Sequence, residues 1–501
     1  MTIQRTLAAL AAFSSLPLLN AAEKSDQGDR VSMVQGNLTL EKAVSLAVQQ
    51  NPDILRAKKE IERTRGQVLE VRAQALPHVN LNSSYTQQDP DLIERQGSSG
   101  GSIQLKQADG TTTTLDLGRG NQSTGGDKSW RIAIEATQVL YSGGQVNAAL
   151  KIAKFTQDQS IYTMRDTVDR VISQTRNQFY LVLLNRKLIT VAEESIHLLE
   201  DELKDQKNRF DAGTVPKFNV LRAEVALANA QPDLIRAKNN YLIAQLELGK
   251  ILGLEASRSA SAKPSFEVAG DLFMSERKMS QAQALTIARE RRAFLKAQRQ
   301  NILAEEQQIT VARAGYKPRL NANAGYEMHN SDLTDNLSQE VNGWTFGVTG
   351  SWAVFDGFET KGKIEQAVAR LGSARILYED SVRQVELEVQ KAFASLGEAR
   401  ELITSQVKVV EQATEALRLA RERLAAGAGT QLDVLDAQVA LTKARTTQQQ
   451  ALYDYNVAVS EFDRSTGSDT VYEDAPRPKA PLHTVKAEPA GKAKPKAKAK
   501  H

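Results

Sequence analysis

The sequence predicts a mainly α-helical protein that also contributes strands to a β-barrel, built from one unit that occurs twice. Three observations predict it. Small and apolar residues recur about every 3.5 positions over very long stretches, which is the period of helices packed in coiled coils. Two pairs of short segments alternate apolar and polar residues, as strands with two different faces do. The order of these segments then repeats once along the 501 residues.

The longest predicted helix covers residues 358–425, and its apolar stripe extends over 385–424. At about 1.5 Å per residue such a helix would be about 100 Å long. That length exceeds any compact domain and suits a duct or a stalk. A second long helix is predicted over about 145–210.

Each long helix ends at a glycine turn and is followed by a return helix. Gly213 closes the first helix, and Gly427 with Gly429 closes the second, since glycine accepts the left-handed backbone of a helix C-terminus. A helix over 39–75 and the first return helix, over 215–252, together match the length of one long helix. Both turns are therefore expected at one far tip, with the strands at the other end.

Two pairs of strands are predicted from period-2 alternation, with one apolar and one polar face, as in a barrel with lipid outside and water inside. A tryptophan stands at the start of the second strand of each pair, where an aromatic belt is expected. Four strands are too few to close a spanning barrel, so the open edges require further copies, and a trimer supplies twelve strands. The strands are at about 78–86, 130–140, 319–327 and 344–355, and the side chains expected to face lipid are Val79, Leu81, Trp130, Ile132, Ile134, Leu320, Ala322, Trp344, Phe346 and Val348.

The two units match at two offsets. Pro77 corresponds to Pro318, 241 positions later. From Trp130, which corresponds to Trp344, the offset is 214 and holds through the turns and the return helices. The difference of 27 positions falls in the loop between paired strands, which is longer in the first unit and is expected to be extracellular. A constant offset over such lengths indicates a duplication.

The residues outside the two units predict an exported protein. Arg5, an apolar run and small residues ending near Ala22 are typical of a secretory signal peptide. The expected division is a signal peptide at 1–22, an N-terminal periplasmic segment at 23–37, the first unit at 38–253, a mid-barrel linker at 254–278, the second unit at 279–467 and a disordered Lys/Pro/Ala-rich tail at 468–501.

Composition argues against several classes of function. The net charge is +4, but the last 25 residues carry one arginine, seven lysines and one glutamate, so the rest of the mature chain is acidic. The basic balance reflects a tail rather than a nucleic-acid-binding surface. The chain has no cysteine, and its five histidines lack the spacing of metal ligands. With no phosphate-binding loop and no nucleophile–base set, no cofactor, metal site or enzyme activity is expected.

With these features in place, the sequence resembles the TolC family of outer-membrane efflux proteins over about 38–467. The duplicated order of elements carries the resemblance more than any single motif. The matching segments are LTLEKAVSLAVQQNPDILRA (38–57), VLYSGGQV (139–146), ARAGYKPRLNANAGY (312–326) and AGAGTQLDVLDAQVA (426–440).

The resemblance implies a homotrimer with a twelve-stranded outer-membrane β-barrel on a long periplasmic α-helical barrel, in a Gram-negative-type bacterium. It also implies its partners, which are outer-membrane lipid, a periplasmic adaptor protein and an inner-membrane pump, with no nucleic acid. The expected function is the exit duct of a tripartite efflux or type I secretion system. The alternative is a periplasmic coiled-coil adaptor or scaffold that binds without conducting.

In this family acidic residues near the helical tip narrow the periplasmic mouth, and the matching positions are Asp433 and Asp436. Their spacing of three places both on one face of a first helical turn. A structural role is equally well supported, because Thr430 and Asp433 nearly form a capping box and an acid there suits the helix dipole. The first unit has Asn219 and Arg222 at these positions, so the fold does not require the acids.

Arg222 is therefore a candidate partner of the acid pair at the aperture. The family's best-known member holds its tip closed with a Tyr, an Arg and an Asp. The aligned positions here are Leu424, Gly429 and Asn219. That latch is absent, so a closed state needs other contacts.

Overall fold

The computed structural model describes residues 36–89, 102–106, 112–116, 128–254, 266–274, 279–330, 337 and 340–468. The expected signal peptide, the tail and most of the long inter-strand loop lie outside these residues. The helices are α1 (Leu40–Gln50), α2 (Pro52–Ala73), α3 (Gln145–Asp211), α4 (Lys217–Ile251), α5 (Gln281–Arg291), α6 (Ala293–Arg313), α7 (Glu359–Ala425) and α8 (Gln431–Thr466). The strands are β1 (Gly36–Leu38), β2 (His78–Gln87), β3 (Ser102–Lys106), β4 (Thr112–Asp116), β5 (Lys128–Tyr141), β6 (Phe266–Val268), β7 (Arg319–Asn330) and β8 (Glu340–Ser351).

Two long helices dominate the molecule. α3 and α7 each contain 67 residues, which is about 100 Å at 1.5 Å per residue. Each is followed by a return helix, α4 with 35 and α8 with 36 residues. The prediction of a mainly α protein with a duplicated helix, strand, strand, long helix, helix unit is confirmed. None of the described helices has a stretch long and apolar enough to cross a membrane.

The helices pack side by side into a ribbon. α3 runs along α2 and α4, α7 runs along α6 and α8, and α3 joins the two units through contacts with α6 and α8. Near the turns, Leu417 of α7 is buried against Val434 and Leu441 of α8. The apolar stripe of α7 is not covered throughout, because Val385 is buried while Val407 is 51% exposed. The middle of α7 therefore presents apolar surface that the chain's own core does not cover.

β2, β5, β7 and β8 form one antiparallel sheet in this order. Tyr326 lies between Ile134 on one neighbouring strand and Trp344 on the other, so these side chains share a face. The alternate residues place polar side chains on the opposite face, where Arg131 and Glu327 form an ion pair at 2.7 Å. Within the described chain, β2 and β8 are each paired along one edge only.

The last strand differs from its predicted bounds of 344–355. β8 begins earlier than predicted and ends at Ser351. Trp352 leaves the sheet because its indole N–H donates to the Tyr316 carbonyl at 3.1 Å. Asp356 then accepts two backbone amides and starts α7.

The N-terminal helices of both units are broken at equivalent positions. Asn51 separates α1 from α2, and its side chain donates to the Ile251 carbonyl at 2.7 Å. The break between α5 and α6 falls at Arg292, which is buried and donates to the Arg464 carbonyl at 2.9 Å. Pro52 predicts the first break, whereas no proline marks the second. β1 and β6 add a short parallel pair between the N-terminal segment and the linker.

Two equivalent glycines follow the return helices. Gly253 and Gly467 have left-handed backbones, with φ of +71° and +66°. A Cβ on Gly253 would lie 2.5 Å from the carbonyl oxygen of Gln50, whereas a Cβ on Gly467 would lie 3.4 Å from the Cβ of Arg291. The first return helix is therefore packed more closely against α1 than the second is against α5.

We expect Gly253→Ala to cost more stability than Gly467→Ala. Both variants carry the cost of a left-handed alanine, about 1 kcal/mol, but only the first also forces two backbone segments apart. Thermal denaturation followed by circular dichroism should show the larger drop in melting temperature for G253A. Equal drops would contradict the difference in packing.

Candidate functional site

Both glycine turns lie at one end of the helical ribbon. Gly213 and Gly427 have φ of +70° and +72°, and their amides donate to carbonyls of the preceding helix at 2.8 and 3.2 Å. These bonds terminate α3 and α7 and reverse the chain. The Gln431 side chain donates to the Asn219 carbonyl at 3.0 Å. The starts of α4 and α8 are therefore in contact.

Gly429 lies in the second turn, against the end of α7. A Cβ there would lie 3.1 Å from the Cβ of Arg423, whose guanidinium donates to the Ala428 carbonyl at 3.2 Å. The first unit has Val215 at the equivalent position. Leu424, at one of the three latch positions, packs into the apolar contact between α7 and α8.

Asp433 is the third residue of α8, and its side chain takes the capping role. The Thr430 hydroxyl accepts the amide of Asp433 at 3.2 Å, and the Asp433 carboxylate accepts the amide of Thr430 at 2.8 Å. This reciprocal pair is a capping box. The hydrogen bond from the Thr430 amide lowers the pKa of Asp433, and the Thr430 side chain and Arg423 act in the same direction. The carboxylate is therefore ionised and fixed in place.

Asp436 lies one turn further along α8 on the same side. Its side chain is exposed, and it makes no hydrogen bond or ion pair with any described residue. Its charge is therefore available to ions or to a neighbouring copy. In the described part of the chain, no group of three or more histidine or carboxylate side chains is arranged to hold a metal ion.

Arg222, the candidate partner of the two aspartates, is engaged elsewhere within one protomer. Its guanidinium lies 5.1 Å from the centre of the Phe218 ring, a cation–π arrangement. Among the described ion pairs, Arg222 has none with Asp433 or Asp436. The described structure of one protomer therefore does not show the predicted pairing at the aperture.

The sequence pattern did not predict a buried polar contact between the two hairpins. Glu202 and Gln206 of α3 and Gln431 and Gln438 of α8 are all buried. Gln206 donates to Glu202 at 2.9 Å, and burial raises the pKa of Glu202. In the sequence, this contact is indicated by polar residues at positions that face a neighbouring helix. Near the tip, the Gln438 side chain also donates to the Leu198 carbonyl of the other hairpin at 3.4 Å.

The sheet contains the second candidate site, a continuous apolar face. The side chains predicted to face lipid all lie on this one face. Several of them are widely exposed in the single chain, with Val79 exposed by 67%, Phe346 by 69% and Trp344 by 79%. An exposed apolar face of this size marks a contact with lipid or protein.

Comparisons with known proteins agree with this geometry. The family model described as outer membrane efflux protein matches residues 43–254 and 284–468. The alkaline protease secretion protein AprF of Pseudomonas aeruginosa is 25% identical over 283 residues, which are 55% of this chain and 57% of that protein. The chain thus spans just over half the length of this relative. The outer membrane protein TolC of Vibrio cholerae is 23% identical over 364 residues, which are 71% of this chain and 81% of that protein.

The fold is also similar to that of a solved channel. The crystal structure of the Campylobacter jejuni CmeC outer membrane channel matches 85% of this chain and 85% of that chain, with a TM-score of 0.70 and 15% identity. This likeness shows the fold alone. The family model, however, covers both units, including the sheet, the glycine turns and the acid pair. The chain therefore belongs to the outer membrane efflux protein family.

Proposed function

We propose that the protein is the outer-membrane exit duct of a tripartite efflux or type I secretion system. One observation carries the proposal, a sheet with one apolar face and two open edges at the end of hairpins about 100 Å long. In hydrocarbon every backbone amide and carbonyl needs a partner, so a spanning sheet must close. Three copies give twelve strands, more than the eight of the smallest spanning barrels.

The helices extend the same arrangement into the periplasm. When three sheets form a cylinder, the ribbons joined to them form one as well, and the exposed middle of α7 near Val407 meets a neighbouring copy. The turns at Gly213 and Gly427 then surround the periplasmic mouth. A periplasmic adaptor and an inner-membrane pump deliver cargo there, and this chain conducts it outward. The protease secretion relative supports a role in export.

At the mouth, Asp433 and Asp436 of three copies place six carboxylates around a narrow opening. Closely spaced carboxylates attract cations and repel anions, as acidic rings do in cation channels. The cap holds Asp433 in place, while Asp436 has no partner within the described chain. Arg222 of a neighbouring copy is the counter-charge that closes the mouth in place of the missing latch.

Planar-bilayer recording tests this function. The protein, extracted with detergent from an outer-membrane fraction as a trimer, should open conducting channels in a bilayer. A periplasmic adaptor or scaffold would be released without detergent and would not conduct. Release in the soluble periplasmic fraction would therefore contradict the proposal.

Phe346→Arg should impair assembly of the barrel, whereas Thr345→Arg should not. Phe346 lies on the apolar face, where an arginine costs about 2–4 kcal/mol near the bilayer midplane, and Thr345 is its neighbour on the polar face. Ile132→Arg and Ala133→Arg repeat the comparison on β5. The yield of heat-sensitive trimer in the outer membrane measures the effect, and equal yields within each pair would refute the assignment of the faces.

Asp433→Asn combined with Asp436→Asn should lower the preference of the channel for cations. Asparagine keeps an oxygen that can accept the Thr430 amide, so the change removes the charge and not the cap. Reversal potentials in asymmetric KCl and block by multivalent cations measure the effect. Asp233→Asn combined with Asp380→Asn, on the exposed surfaces of α4 and α7, is a control with the same change of charge. An unchanged reversal potential together with unchanged block would mean that the aspartates act only as helix caps.

Asp433 should set the pH range of selectivity. Because the pKa of Asp433 is lowered in the folded protein, its charge and its capping contribution are present at neutral pH and are lost as the pH falls through the lowered value. Selectivity of the parent should therefore be constant from neutral pH down to about pH 4, the ordinary range of an aspartate, and decline only in more acidic solution. The asparagine variant should show no such decline.

A further inference from the structure

We propose that a cavity at the junction of the sheet with the second long helix binds the phosphate group of an anionic phospholipid. The inference rests on the proposed function, because it requires the sheet to lie in a membrane. The cavity is enclosed by the end of α6, the start of β7, the end of β8 and the start of α7, and its volume is about 710 Å³.

The lining of this cavity is strongly cationic. Lys317, Arg319, Lys363 and Arg370 line it, and none of the described residues that line it is acidic. Glu359, outside the lining, pairs with Lys363, and Arg319 donates to the neutral side chain of a glutamine at 2.6 Å. The four cations therefore keep a net positive charge after these contacts. Arginine and lysine bind phosphate through charge-assisted hydrogen bonds.

The first unit provides an internal control. The two offsets place Leu76, His78, Ala149 and Thr156 where the second unit has its four cations. The corresponding junction of the first unit holds a smaller cavity, of about 250 Å³, with no charged side chain among the described residues that line it. The same junction therefore folds without the cations. Their presence in the second unit is an addition to the fold and not a requirement of it.

The surroundings of the cavity favour a lipid over a soluble anion. Trp352 lines the cavity and directly follows β8. After it, Val354, Phe355 and Phe358 are 82%, 77% and 69% exposed. Aromatic side chains concentrate at the boundary between membrane and water, which is also the depth of the lipid phosphates. A lipid can therefore place its acyl chains against these exposed apolar side chains and its phosphate in the cavity.

Native mass spectrometry of the detergent-solubilised trimer tests the site, with phosphatidylglycerol, phosphatidylcholine and inorganic phosphate as separate titrants. The variant K363A/R370T carries the residues of the first unit and should bind phosphatidylglycerol at least tenfold more weakly than the parent. K317L/R319H makes the same replacement on the strand side of the cavity. The control K361A/R313T removes two cations of α7 and α6 that do not line the cavity, and it should bind like the parent.

Weaker binding by both cavity variants, with parent-like binding by the control, supports the site. Equal binding by all variants overturns it. Equal affinity for phosphatidylglycerol and phosphatidylcholine, or a preference for inorganic phosphate over both lipids, overturns the assignment to an anionic lipid. Channel conductance of the same preparations reports separately on the proposed function, because K363A/R370T, on α7, should conduct as the parent does.

Discussion

Backbone hydrogen-bonding groups cannot stay unpaired in hydrocarbon, and this constraint governs the whole molecule. β2 and β8 each have one open edge, and no described strand of the chain covers either of them. The apolar face of the same sheet stabilises the protein only where water is excluded from it. Pairing with further copies satisfies both edges at once. The number of copies then fixes the width of the barrel and the ring of helices beneath it.

The duplication lets one chain supply two nearly equivalent sectors of such a ring. Both long helices contain 67 residues, and both reverse at a left-handed glycine. Two of the differences fall at positions for which a function is proposed. The acid pair of α8 is replaced by Asn219 and Arg222 in the first unit, and the cations at the junction are replaced by uncharged side chains or histidine. Comparing the two units therefore distinguishes residues that the fold requires from residues that only one unit has.

Much of the architecture could be predicted because its signals are local. Helical periodicity, period-2 alternation and glycine turns each depend on neighbouring residues, and the constant offset links them. The break at Arg292 was not predicted, because no proline marks it and a buried guanidinium bound to a distant carbonyl accompanies it; only the offset of 241 from Asn51 indicates it. The contact of Gln431 with Asn219 depends on how two remote segments pack. The capping role of Asp433 was one of two interpretations that the sequence supported, and the structure confirms it, whereas its role at the aperture stays a prediction.

Pairing of the open edges between copies is the most direct test of the account. The chain has no cysteine, so introduced cysteines can form disulfides only with each other. One cysteine is placed on β2 between Val79 and Tyr85, and the other on β8 between Trp344 and Val348. Within one chain these strands lie about 14 Å apart at about 4.8 Å per strand, beyond the roughly 7 Å that a disulfide spans. Oxidation in the outer membrane should therefore yield a covalent species of three chains on a denaturing gel. Monomer alone for every cysteine pair, or a ladder extending past three chains, would contradict a closed barrel of three copies.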